Sequence, residues 1–402
     1  MSNIVIIGAG QAAGQCVATL KKLGCTHKII LIGEESHPPY QRPPLSKSFL
    51  EGKVGLERVY MKNREFYEEN EVEFYPNTLV KEIDREEKKV RTSCGKEFEF
   101  EKLVIATGSR ARKLEIEGTQ LGNVYYLRTI DDVEKIKEQM SVCQNLSIIG
   151  AGYIGLEVAA VASELGMNVS IFEMADRSMN RTVDKKISEH FEDLHKTNGV
   201  NFYFQSNIEE LQGEISIDGV KLDDGSLIPT DILIIGIGII PNQELAENAG
   251  LDCNNGILVN DKGITSDQSI FACGDCTNHP NKFLDRNIRL ESVQNALEQS
   301  KVVAANLMGQ EKKYEVIPWF WSDQYNQKLQ IVGMPEEYDE IVKREYADGF
   351  SIFYLSNKTI ISVTTVNNPK EFLICKKLVE KRVKISSDIL TNTANDLNEL
   401  VK

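Results

Sequence analysis

Tryptophan and histidine are scarce in this chain, with two and five residues among 402, and acids outnumber bases by 14. The charge deficit argues against a nucleic-acid partner and against docking on an anionic membrane. No run of about 18 consecutive apolar residues occurs, so no membrane-spanning helix is expected. His27, His37, His190, His195 and His279 share no ligand spacing with cysteines or acids. No metal site is expected, and these histidines should be surface or hydrogen-bonded residues. Eight scattered cysteines make no disulfide framework, which points to a reducing cytoplasm. The strand pattern begins by Ile4, so no signal or transit peptide is expected. No low-complexity segment is present.

What the chain does have is two glycine-rich turns, beginning at Gly8 and Gly150 and 142 residues apart. The first follows the apolar run Ile4–Ile7 and reads Gly8-Ala9-Gly10-Gln11-Ala12-Ala13-Gly14. The second follows Leu146–Ile149 and reads Gly150-Ala151-Gly152-Tyr153-Ile154-Gly155. Each is followed by a helical pattern, 9–23 and then the stretch ending near Gly166, and by a second strand, 28–33 and 168–173. An acid closes each strand: Glu34 in the first unit and Glu173 in the second. This is the βαβ arrangement that binds one dinucleotide. The first glycine allows the tight turn, and the second lets backbone N–H groups reach a pyrophosphate at the positive end of the helix. A small third residue, Ala13 or Gly14 in one unit and Gly155 in the other, lets helix and strand pack closely. An acid at the strand end accepts hydrogen bonds from a ribose 2′-hydroxyl and repels a 2′-phosphate. NADH is therefore preferred over NADPH at the second site, with Arg177 the nearby cation that opposes this preference. Two dinucleotides on one chain point to hydride transfer between nicotinamide and flavin.

Further apolar runs at 103–108, 231–238 and 269–275 read as buried strands. The third resumes the first unit after an insertion, so the second dinucleotide unit is nested within the first. Between them, Pro38–Lys47 is too proline-rich for regular helix or central strand. From about 317 the pattern alternates, as in Ser351–Leu355 and Ile360–Thr364. The expected fold is α/β, with two nested Rossmann-like domains of glutathione-reductase-like type and a small C-terminal α+β domain. The boundaries are 1–112 with 245–316 for FAD, 113–244 for NADH, and 317–402 for the C-terminal domain.

Several segments carry a family resemblance: Arg42-Pro43-Pro44-Leu45-Ser46-Lys47, Gly150–Glu157, Thr265–Asp267 leading to Ala272-Cys273-Gly274-Asp275, Glu291–Ala296, and Trp319-Phe320-Trp321-Ser322-Asp323-Gln324-Tyr325. The chain resembles, over essentially its whole length, the FAD-dependent ferredoxin reductases of the putidaredoxin-reductase, rubredoxin-reductase and Rieske-oxygenase type. The tryptophan segment is the most specific of these pieces. The resemblance implies an enzyme that passes hydride from NADH to FAD and electrons singly to a [2Fe–2S] ferredoxin or a rubredoxin. That carrier would serve a cytochrome P450 or a Rieske oxygenase. It implies FAD contacts at Ala12, Glu34, Lys47, Val80, Arg128, Asp275 and Val293. Gly8, Gly10, Ala13, Gly14, Arg42, Pro44, Ala106, Thr107, Gly108, Gly274, Ser292, Trp319 and Trp321 belong to the same expected site. Lys47 and Glu157 are implied as a catalytic pair beside the flavin, the lysine offsetting negative charge on the reduced ring. The expected NADH contacts are Gly150, Gly152, Tyr153, Ile154, Gly155, Glu157, Glu173, Gly236 and Gly238.

Relatives that reduce disulfides carry a Cys-x4-Cys pair after the first βαβ unit. Here no cysteine lies between Cys25 and Cys94. The one Cys-x-x-Cys, Cys273 to Cys276, sits at a strand end and reads as structural. An NADH oxidase would need a reactive cysteine near position 42, which is absent. A non-enzymatic flavoprotein resembling apoptosis-inducing factor would need a basic surface. Lys376, Lys377, Lys381, Arg382 and Lys384, with Lys301, are candidates for a local basic ferredoxin patch. The chain is expected to be a monomer or weak dimer.

Overall fold

The computed structural model describes residues 3–401. The chain divides into two compact units, the first formed by residues up to Gln41, Leu56–Arg110 and Ile240–Pro318, the second by Arg42–Gly55, Ala111–Ile239 and the chain from Trp319.

In the first unit, strands Ile270–Ala272, Lys102–Ile105, Asn3–Ile7, Lys28–Ile32 and Val72–Tyr75 lie side by side in that order, all parallel. Their continuous Ile/Val/Leu runs follow from burial on both faces. Alternation along each strand divides the side chains between two cores. Ile4, Ile6, Ile29 and Leu31 pack under the helices Gln11–Lys22 and Val293–Leu307. Val5, Ile7, Ile30 and Ile32 meet Val80, Ile83, Val90 and Phe98 of the antiparallel sheet Val80–Asp84, Lys89–Thr92, Glu97–Glu99.

The second unit repeats the plan. Strands Asn201–Phe204, Asn168–Glu173, Asn145–Ile149, Ile232–Ile235 and Val124–Tyr125 form a parallel sheet. One face packs on the antiparallel sheet Ile208–Gln212, Gly219–Leu222, Leu227–Pro229. The two sheets differ in when the fifth strand is made. It comes last in the first unit, after the insertion, and first in the second. The second unit also holds the antiparallel sheet Trp319–Gln324, Gln327–Gly333, Thr359–Val366, Gly349–Ser356, Glu340–Tyr346, and the helix Pro369–Glu380. The α/β class, the nested dinucleotide units and the alternating C-terminal strands match the sequence expectation.

The sequence-derived elements differ from the observed ones mainly at their ends, where glycines leave regular geometry. The strand expected over 269–275 ends at Ala272, because Gly274 takes φ +86°. The proline loop contains a single 3₁₀ turn, Pro43–Ser46. Residues 42–55 belong to the second unit, tied there by the Arg42 guanidinium, which donates to the Arg128 carbonyl, and by Ser46 and Lys47, which reach Glu157.

Candidate functional site

The cradle of the first unit begins at Gly8, whose φ of +97° would place a Cβ on the Ala106 carbonyl; only glycine turns there. Gly10 differs. Its φ of −86° suits any residue, and apart from chain neighbours and its own helix no atom lies within 4 Å of where a Cβ would stand. Nothing in the fold demands a glycine at this position, so the space is left for something outside the chain. The helix Gln11–Lys22 starts here with no side chain capping it and no acid in its first turn. Its N–H groups and dipole are thus available to an anion. Gly14 plays a different part from the one offered to it. A Cβ there would meet Pro39 at 2.6 Å and the Met61 sulfur at 3.0 Å, so it makes room for the proline loop, and Ala13, fully buried, is the residue against the sheet.

Around this cradle, Gly274 turns at φ +86° with room for a Cβ only 3.0 Å from Ala12, and its N–H is held by Gln299 at 2.8 Å. Asp275 accepts from Ser109 Oγ at 3.1 Å. Thr107 and Asn242 exchange hydrogen bonds of 2.7 and 2.9 Å, which fixes the turn Ala106-Thr107-Gly108. Ser292 caps the helix Val293–Leu307 through the Asn295 N–H. Val80 is buried at the start of its strand. Glu34 is exposed just beyond the strand Lys28–Ile32, while its neighbour Glu35 takes the Tyr40 hydroxyl. Gln294, 3% exposed in the first helical turn, has a carboxamide without a hydrogen bond. An uncapped helix, an open cradle and an orphaned buried amide all fit a bound dinucleotide.

The second unit has the same features. Gly150 has φ +103° against the Gly236 carbonyl, and Gly155 lies where a Cβ would strike the Gly150 carbonyl. Gly152 repeats Gly10: φ −81°, an uncapped helix Tyr153–Glu164, and no atom within 4 Å of a Cβ. Ile154 is 45% exposed on the first turn, an apolar side chain left at the mouth of the cradle. Tyr153 stacks on Phe320 with ring centres 4.4 Å apart. Gly238 turns at φ +106°, and its carbonyl is taken by the Arg112 N–H. The Glu173 carboxylate accepts from Ala151 N at 2.8 Å and Ala175 N at 2.9 Å. Two of its four lone-pair positions remain for a ribose. Arg177 is engaged elsewhere, donating to Val183 O, Asn180 O and Ser188 Oγ at 2.7–3.0 Å. The cation that opposed the NADH preference is therefore turned away from this task.

Also in this unit, Glu157 is 2% exposed inside the helix Tyr153–Glu164. Its Oε2 meets Lys47 Nζ at 2.6 Å and Ser46 Oγ at 2.6 Å; its Oε1 accepts from Ser322 Oγ at 2.6 Å. Burying a carboxylate costs several kcal/mol unless it is paired and hydrogen-bonded, and all three donors here are short. Lys47 keeps 20% of its side chain exposed. The rings of Trp319 and Trp321 lie 5.5 Å apart and are half-buried, with Lys376 Nζ 4.8 Å from the Trp319 centre.

Sequence reasoning missed three things. Ser322, Gln324 and His195 form a buried polar line leading to Glu157. His279, expected to be exposed or hydrogen-bonded, is 1% exposed with neither ring nitrogen bonded, and burial pushes its pKa down to about 4. Lys301 of the basic patch is paired with Glu298 at 2.7 Å, and Lys381 donates to the Val401 carbonyl. All eight cysteines are free thiols. Burial raises the pKa of both Cys273 and Cys276, which suits the structural role expected of them. Among the described residues no group of acids, histidines and cysteines could hold a metal ion, and no helix is long and apolar enough to cross a membrane.

Comparison with known proteins now adds to this geometry. Residues 2–300 match the family model described as pyridine nucleotide-disulphide oxidoreductase, and residues 319–401 match the one described as reductase C-terminal. Putidaredoxin reductase of Pseudomonas putida is 37% identical over 407 residues, covering 99% of this chain and 96% of the relative. Rhodocoxin reductase of Rhodococcus erythropolis is 35% identical over 398 residues, covering 98% and 93%. The crystal structure of a covalent putidaredoxin reductase–putidaredoxin complex superposes with a TM-score of 0.96 at 37% identity, covering 100% of this chain and 98% of that one.

Proposed function

The chain belongs to the pyridine nucleotide-disulphide oxidoreductase family, and on that premise we propose that it carries electrons from NADH through FAD to a small [2Fe–2S] ferredoxin serving a P450 or Rieske-type oxygenase. It is an oxidoreductase of the ferredoxin-reductase group, and that group uses FAD and NAD(H). The observation that carries the reading is the repeated open cradle, at Gly10 and again at Gly152, each before an uncapped helix. Despite the family's name, no thiol relay is read beside the cradles: the one Cys-x-x-Cys pair is buried, and burial raises both thiol pKa values.

FAD, when bound, supplies the conversion between a two-electron hydride donor and a one-electron acceptor. In the first unit Gly8, Gly10 and the helix Gln11–Lys22 would seat its pyrophosphate, Glu34 its adenine ribose, and Asp275 a hydroxyl of its ribityl chain. In the second unit Gly150, Gly152 and Glu173 would hold NADH by the same means. The Glu173 carboxylate at the strand end, and Arg177 engaged by its own loop and helix, support NADH over NADPH. Lys47, held by Glu157, would present a positive N–H donor to negative charge on the reduced ring. The domain boundaries 1–112 with 245–316 for FAD and 113–244 for NADH are part of the same proposal. So is a docking surface around Lys376, Lys377 and Lys384, where exposed Leu373 and the Trp319 ring give basic and apolar area together. The free state of all eight cysteines supports a cytoplasmic location.

The test mixes flavin-loaded protein with NADH anaerobically and then adds cytochrome c, with and without a [2Fe–2S] ferredoxin. Cytochrome reduction that depends on the ferredoxin is expected. Equal reduction without it would overturn the proposal.

A further inference from the structure

The strand Trp319–Gln324 alternates in an unusual sense. Trp319, Trp321 and Asp323 are half-buried, while the polar Ser322 and Gln324 are 0% and 1% exposed. Residues two apart share a face, so these two point inward together. Buried polar side chains on an inward face need partners, and theirs form one line. Ser322 Oγ lies 2.6 Å from Glu157 Oε1, Gln324 Nε2 lies 3.3 Å from Ser322 Oγ, and His195 Nε2 lies 2.9 Å from Gln324 Oε1. Tyr325 Oη lies 3.2 Å from His195 Nδ1.

The direction of every bond follows from the first. A carboxylate only accepts, so Ser322 gives its single proton to Glu157. Ser322 Oγ can then only accept, which turns the Gln324 amide nitrogen toward it and the amide oxygen toward His195. His195 must carry its proton on Nε2, which leaves Nδ1 to accept from Tyr325. Complete burial keeps the imidazole neutral, with its pKa lowered to about 4. Tyr325 holds its end at φ +51°, a left-handed conformation that disfavours a bulky side chain and persists where the surroundings hold it. A carboxamide cannot pass a proton along without becoming its imidic acid, so the line orients and does not conduct.

We propose that Ser322, Gln324 and His195 are positioning residues that hold the Glu157 carboxylate with Oε2 turned to Lys47, and that Lys47 depends on them to present its ammonium to the reacting flavin. This rests on the proposed role of the Lys47–Glu157 pair. All four hydrogen bonds point toward the carboxylate, each polarising the next, so the line stabilises negative charge on Glu157 more than a lone serine would. A carboxylate held this way keeps the lysine in one place without needing water.

The test compares Ser322→Ala, Gln324→Met and His195→Phe with His195→Gln, whose amide can replace the Nε2 donor. In flavin-loaded protein, bleaching of the flavin by NADH under single-turnover conditions should slow about tenfold or more in the first three, with the NADH dependence unchanged. His195→Gln should stay within about twofold of the parent. In flavin-free protein, ¹⁵N NMR should show the His195 Nε2–H tautomer, and Lys47 ammonium protons should exchange with water faster in Ser322→Ala and Gln324→Met but not in His195→Gln. Parent-like bleaching and exchange in Ser322→Ala and Gln324→Met, alongside slow bleaching in Lys47→Met and Glu157→Gln, would overturn the inference alone. Parent-like bleaching in Lys47→Met and Glu157→Gln would overturn the pair's role, and this inference with it.

Discussion

Glu173 accepts the Ala151 N–H at 2.8 Å, so the acid ending one strand braces the glycine turn that ends its neighbour. The residue that would select the nucleotide therefore also shapes the cradle. Replacing it by alanine removes charge-assisted bonds from two backbone amides, at about 1.5–3 kcal/mol each. Glu173→Ala should lower the melting temperature, raise the KM for NADH about tenfold or more, and lower the NADH-to-NADPH ratio of kcat/KM. Steady-state kinetics with both nucleotides checks it.

The glycines at each turn should separate by phenotype. Gly8→Ala and Gly150→Ala force a side chain onto a backbone carbonyl at positive φ, costing about 1–3 kcal/mol in strain before the collision is counted. Gly10→Ala and Gly152→Ala should melt within a few degrees of the parent. They should instead weaken FAD binding and NADH binding respectively. Thermal melts beside flavin fluorescence and NADH titrations distinguish the two classes.

Lys47→Met leaves a buried carboxylate with two serine donors and no counter-charge, an expected loss on the order of 3 kcal/mol. Adding Glu157→Leu should recover much of that stability without restoring flavin reduction by NADH. A double-mutant cycle in urea reads the coupling, and single-turnover bleaching reads the function.

Acid should destabilise the protein between pH 6.5 and 4. The buried rings of His195 and His279 have pKa values lowered from 6.5 to about 4. Across that window the unfolded chain binds protons that the folded one refuses, so stability is complete above 6.5 and lost as pH falls. Each histidine contributes roughly 3 kcal/mol at neutral pH. Glu371 acts oppositely: burial raises it to about 6 despite Arg344 beside it, so its contribution is present below 4.5 and lost as pH rises through 6. The two histidines outweigh it. His195→Gln should flatten the acid limb of a denaturation-midpoint curve by about half.

What the sequence made legible were features written in local order. Gly8 and Gly150 follow apolar runs and precede helical ones, and the backbone leaves them no alternative residue. Glu34 and Glu173 are placed by strand length. Lys47 and Glu157 were visible only through family resemblance, because nothing local joins a proline-loop lysine to an acid on a distant helix. The bonds that join Gln324 to His195 and to Ser322 were not visible at all. The Ser-Asp-Gln tail reads as part of the family-specific tryptophan segment, and only the alternation of Trp319–Gln324 hints that Ser322 and Gln324 share a face. The empty partnership of His279 has no sequence signature, since a buried histidine and an exposed one look alike in a linear chain. Gly14 shows the limit of spacing itself: it stands where the motif allows a small residue, yet the neighbour it accommodates is Pro39.

The strand Ile270–Ala272 pairs with Lys102–Ile105 only after the whole inserted domain has been synthesised. On the ribosome, the parallel sheet from Val124 to Ile235 emerges entire while the sheet begun at Asn3 still lacks its edge. The nascent polypeptide must therefore finish its later-starting module before its earlier one. Gly274 and Asp275 arrive with that final edge, so a flavin site built on them would be complete only once the inserted parallel sheet has been made.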